Sequence, residues 1–151
     1  MKRSALALAA FAAIISLGVR AGDAASGSVD QQASIRTERW YSVEQVASGR
    51  KLFGEHCADC HGINAEGTPT WRKPDASGNY PPPPLNGTAH AWHHSLSVLD
   101  GTIVNGGAAM DGVMPGFGNL LDREQRLSVI AYFQDFWSDE IYRRWQEIDG
   151  R

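Results

Sequence analysis

The stretch "GEHCADCHG", residues 54–62, holds both cysteines of the chain, three residues apart, with a histidine directly after the second. Two thiols and an imidazole in so short a run fit three chemistries: a dithiol redox centre, half of a zinc site, or a covalently attached haem. Cys57, Cys60 and His61 are therefore the first candidate site residues, and their surroundings have to choose among the three.

A thioredoxin-like dithiol sits in a βαβ setting, beside a strand. This motif instead follows a helical pattern and precedes a Gly-rich loop. A structural zinc site needs four ligands, commonly two pairs well separated in sequence. Cys57, Cys60 and His61 supply two or three, and His90, His93 or His94 would have to complete the set. A structural disulfide is a poor explanation, since a bond across two intervening residues closes a tiny loop and such stabilisation grows with loop length. Cys-x-x-Cys-His is the sequence form of c-type haem attachment. In that chemistry the two thiols add to the two vinyl groups on one porphyrin edge, and the next residue, His61, can turn its imidazole under the iron.

The pattern around the motif favours haem. Ser42-Val43-Glu44-Gln45 has the form of a capping box, with Tyr41 and Val46 as its hydrophobic staple. A helix is predicted from about Val43 to His56, with Val46, Gly49 and Phe53 along one stripe. Gly49 inside it costs stability relative to Ala, which suggests another element crossing closely there. Residues 62–89 are rich in Gly, Pro, Asn and Thr and end in a stiff polyproline stretch, Tyr80 to Leu85. A loop this long suits a small domain only if it wraps something. A second helix is predicted from near Trp92 to Val104, followed by another Gly-rich loop, "NGGAAMDGVMPGFG". Asp122-Arg123-Glu124-Gln125 repeats the capping logic at the start of a last helix carrying Leu127, Ile130, Ala131 and Phe133. A restart at Ser138 gives a short amphipathic tail with Ile141, Trp145 and Ile148. No segment alternates as a strand does. Three or four helices and long loops leave too little apolar layering for an ordinary core, and a bound cofactor would make up the difference.

The N-terminus reads as a secretory signal: Lys2 and Arg3, then a 15-residue apolar run from Ala5 to Val19, then small residues with cleavage expected after Ala21. The run is short for a membrane span, which needs about 20 residues; the chain would meet a membrane only if this segment stayed uncleaved. Residues 1–21 carry three of the 14 basic side chains and no acid, so the net charge moves from −3 to −6 on their removal. Such a charge argues against a nucleic-acid partner, because that affinity comes from cations on phosphates. Residues 22–41 are expected to be a flexible lead-in, 42–137 the domain, and 138–151 a C-terminal amphipathic extension.

A haem iron has a second axial face, and electron-transfer haems of this type take a Met thioether there. Met110 and Met114 lie downstream in the glycine loop. Met114 is the better candidate, since Pro115 keeps its loop from coiling and Gly116 and Gly118 let backbone lie close to a ligand.

The chain resembles the class I c-type cytochromes, small soluble monohaem proteins. The resemblance rests on "SGRKLFGEHCADCHG", "PPPPLNG", "VMPGFG" and "LSVIAYFQDF", and spans about residues 42–137. It implies an all-α cytochrome c fold with one haem c, covalent through Cys57 and Cys60, and with His61 and Met114 on the iron. It implies that the first and last helices of the domain cross nearly at right angles, Gly49 and Phe53 meeting Ile130, Ala131 and Tyr132. It also implies that a proline carbonyl, read here as that of Pro84, accepts a hydrogen bond from the proximal histidine, and that Leu85 packs on the porphyrin. Phe117 joins the haem-binding set, and Trp92 is a candidate donor to a haem propionate or simply a packing residue.

His90, His93 and His94 could bind copper or zinc, or lie on the surface of a helix start. No serine elbow or phosphate-binding glycine loop is present. The expectation is a non-enzymatic, periplasmic, monomeric single-electron carrier serving a membrane oxidase, reductase or dehydrogenase. The alternatives are a haem enzyme or sensor with an open sixth position for peroxide or a diatomic gas, and a haem subunit of a larger redox complex docked through the tail.

Overall fold

The computed structural model describes residues 39–150. The signal segment with its cleavage site, and residues 22–38 of the lead-in, lie outside the described residues. Among the described residues five α-helices follow in order: α1 Val43–His56, α2 Ala58–His61, α3 Leu96–Asn105, α4 Arg123–Gln134 and α5 Asp139–Asp149. Two 3-10 turns, Ala91–His93 and Ala108–Met110, punctuate the loops. Among the described residues there is no strand, only one parallel bridge between Tyr80 and Gly112.

The helix starts follow from local chemistry. Ser42 and Gln45 form a reciprocal capping box at α1, and Asp122 and Gln125 form another at α4. Each satisfies two amide donors that the first turn of a helix leaves unpaired. Ser138 caps α5 through the amide of Ile141. The second predicted helix begins later than expected. Ser95 caps it through the Val98 amide, so α3 starts at Leu96, and Ala91–His93 is a separate 3-10 turn.

α1 and α4 make the most extensive helix pairing. Gly49 is buried in it, and a methyl group built there would overlap the carbonyl of Ser128 and touch Tyr132. The close crossing inferred from this glycine is thus present, with the contact nearer the start of α4 than Ile130. Phe53 lies one turn further along, fully buried, its ring 5.2 Å from that of Tyr132. Ion pairing adds a tie between α3 and α4: Arg126 donates to Asp100 at 2.6 Å and to the carbonyl of Leu121 at 2.8 Å.

One boundary expectation is corrected. Residues 39–41 belong to the packed body, not to a flexible lead-in: Tyr41 is buried, Trp40 donates its indole N–H to Gln134 at 2.6 Å, and Arg39 pairs with Asp139 at 2.7 Å. The C-terminal extension, over residues 138–150, covers the core of its own domain. Trp145 is fully buried, and its ring joins Trp137 and Tyr142 at 6.0 and 5.2 Å. Aromatic side chains at both ends of the domain therefore share one cluster, which neither end could bury alone.

Candidate haem site

The elements surround a cavity of about 490 Å³, walled mainly by apolar side chains, among them Phe53, Leu85, Leu99, Ile103, Val129 and Phe133. Cys57, Cys60 and His61 all line it. α1 delivers them: the Cys57 amide still donates to Phe53 at 2.9 Å, and the short α2 then presents Cys60 and His61 one turn on.

His61 is buried, and its Nδ1 lies 3.0 Å from the carbonyl oxygen of Pro83. A carbonyl only accepts, so Nδ1 carries the proton and Nε2 keeps a free lone pair. Burial pushes the His61 pKa down, against the smaller opposing effect of that hydrogen bond, and holds the ring neutral. A neutral imidazole with its tautomer fixed from behind is what an iron ligand requires. The resemblance points to the carbonyl of Pro84; the one that accepts is that of Pro83. The reason lies in the loop path. Gly67, at φ 63°, brings its backbone against Pro83 and Pro84, and Thr68 donates to Pro82 at 3.0 Å through its amide. The amide of Leu85 then reaches the carbonyl of Ala65 at 2.8 Å. Four successive prolines offer similar carbonyls, and this pairing selects among them. Pro84 is buried and lines the cavity, as does Leu85.

The far loop is hung on the end of α3. Gly106, at φ 81°, packs against the carbonyl of Met114, whose oxygen accepts from the Gly107 amide at 2.9 Å. Phe117 donates its amide to Ile103 at 2.8 Å. Met114 and Phe117 line the cavity, partly buried; Met110 lines it too, but is 58% exposed. Trp92 does not line the cavity; its ring sits 3.8 Å from that of His93. The histidine cluster is divided in the same way. His90 stacks on Trp71 at 5.2 Å and meets His94 edge-on at 5.6 Å, whereas His93 goes to Trp92. Trp71, His90 and His94 are cavity-lining residues that the motif does not announce. Burial, then His94, His93 and Arg72, lower the His90 pKa.

The thiols separate the three chemistries. Burial first, and the neighbouring Cys60 second, push Cys57 up to about 11. A dithiol redox centre works the other way, with a depressed thiol pKa. Among the described residues no group of three or more His, Cys, Asp or Glu side chains is placed to hold a metal ion alone, which leaves the zinc reading without its ligand set. Two free thiols on one edge of a large apolar cavity, beside a neutral imidazole, fit a covalently attached porphyrin.

Comparison with known proteins agrees. No curated protein and no solved structure matches the chain. The family model described as Cytochrome c matches residues 46–137, more than half of its length. Members of that family bind haem covalently and carry electrons. The chain belongs to the cytochrome c family.

Proposed function

We propose that this protein is an exported, soluble single-electron carrier in the periplasm, with His61 and Met114 as the two axial ligands of its haem iron. The haem, when bound, supplies the one-electron couple. Cys57 and Cys60 hold it by thioether bonds. His61 offers the lone pair of Nε2, kept in line by Pro83. Met114 offers a thioether whose backbone position is set by Gly106 and Gly107. With both axial sites filled by protein, the iron changes charge with little ligand rearrangement. Two protein ligands suit a carrier, because no open position is left for chemistry.

The His61–Pro83 hydrogen bond is the observation that carries this reading, since it fixes the ring and leaves the Nε2 lone pair available to an iron beside the two cysteines. The apolar N-terminal run supports export, and among the described residues no helix is long and apolar enough to cross a membrane. Its partners are redox proteins: a membrane oxidase, reductase or dehydrogenase.

The test is the absorption spectrum of protein matured in a bacterial periplasm, oxidised, reduced, and reduced under carbon monoxide. A carrier gives a low-spin ferric spectrum with a sulfur-to-iron band and no prompt carbon monoxide shift. The band is lost in Met114→Ala and kept in Met110→Ala. A high-spin spectrum that shifts promptly with carbon monoxide would contradict the reading and favour ligand or peroxide chemistry.

A further inference from the structure

The family match ends at residue 137, yet the segment joining the two walls of the cavity is held by side chains from position 137 onward. Trp137 donates its indole N–H to the carbonyl of Leu85 at 2.8 Å, and Trp145 donates to the carbonyl of His94 at 2.9 Å. Asp149 accepts from the amide of Leu96 at 2.6 Å, satisfying a donor that the start of α3 leaves open. Leu85 and His94 line the cavity and bracket the segment between them. The middle of that segment is gripped too: a Cβ built on Gly87 would lie 3.1 Å from Trp137 and 3.3 Å from Ile141. Trp145 has no exposed surface and Trp137 only 2%. Water therefore cannot easily replace an indole N–H at either carbonyl, and a lost bond leaves a buried acceptor unpaired.

We infer that α5 is a positioning element for the haem cavity. Trp145 and Asp149 set the place of residues 94–96, and through them the α3 wall that Leu99 and Ile103 present to the haem. Loosening this clasp opens the wall to water and small ligands, besides lowering stability. The inference rests on haem filling the cavity and does not depend on Met114 being the sixth ligand.

The experiment uses the full-length, haem-loaded protein, with Trp145→Phe, Asp149→Leu and the conservative Asp149→Asn. Two quantities are read well below the unfolding temperature of every variant: the rate of carbon monoxide binding to the reduced protein, and the midpoint potential. Loss of one buried hydrogen bond shifts a local opening equilibrium by about tenfold. Carbon monoxide binding is accordingly expected to be about tenfold faster in Trp145→Phe and Asp149→Leu. The potential falls, because admitted water favours the more highly charged oxidised state. Asp149→Asn keeps an acceptor oxygen and stays close to wild type. Unchanged rate and potential in variants whose unfolding temperature has dropped would overturn the inference and leave α5 as a cover only. If Trp145→Phe does not mature, the Asp149 pair decides by the same criteria. A wild type carrying no covalent haem would overturn the cavity reading itself, and this inference with it; a loaded wild type with unaltered variants overturns the inference alone.

Discussion

The α1–α4 pair and the loops that wall the cavity are built on opposite principles. Each helix of the pair starts with its own capping box, and the two meet through a glycine that admits the Ser128 backbone. Burial of Phe53, Val129 and Ile130 follows from that contact. The loop part of the wall has almost no regular structure. It is shaped by positive-φ glycines, by prolines and by single hydrogen bonds from distant side chains, such as Tyr132 to the carbonyl of Ile63 at 2.8 Å. The pair buries its own surface, whereas the wall encloses a space that the polypeptide does not fill.

The largest expected effect breaks the wall. In Cys57→Ser/Cys60→Ser no thioether can form. An unfilled cavity of about 490 Å³ would cost on the order of 10 kcal/mol by cavity scaling, as much as the whole stability of a typical domain. The cooperative thermal transition seen by circular dichroism should therefore disappear. A sharp haem-independent transition would show that the wall packs on its own.

Next comes the pair itself. Gly49→Ala forces a methyl into the Ser128 carbonyl and should cost about 3 kcal/mol or more in denaturant unfolding. Gly54→Ala, on the same helix, meets only Ile63 at 3.9 Å and should instead gain up to about 1 kcal/mol from helix propensity. Equal effects at the two glycines would remove the close crossing from the account. Arg126→Met breaks the tie between α3 and α4 and is expected to cost about 2 kcal/mol in the same unfolding experiment, as hydrogen bonds to charged groups do. The smallest change, Ser42→Ala, removes one cap for about 1 kcal/mol and should leave the haem spectrum untouched.

The same contrast explains what could be read from the sequence. Capping boxes are local, so α1 was legible to its ends, and Gly49 announced a crossing because an interior helix glycine needs a reason. Cys57, Cys60 and His61 are legible since attachment chemistry fixes their spacing. The wall is not local. Which of four prolines faces His61 depends on where Gly67 and Thr68 lie, and the family resemblance placed it one residue late. Trp92 looked available to the cofactor, but a 3-10 turn assigns it to His93. The packing of residues 39–41 against α5 pairs segments about a hundred positions apart, with no periodicity to betray it.

Amide hydrogen exchange on the haem-loaded protein tests the division between frame and wall most directly. Amides in α1 and α4 should exchange only through global unfolding, while those of residues 106–118, held by scattered bonds, should exchange through local opening at lower free energy. Equal protection in both regions would contradict this division, and would make frame and wall a single cooperative unit.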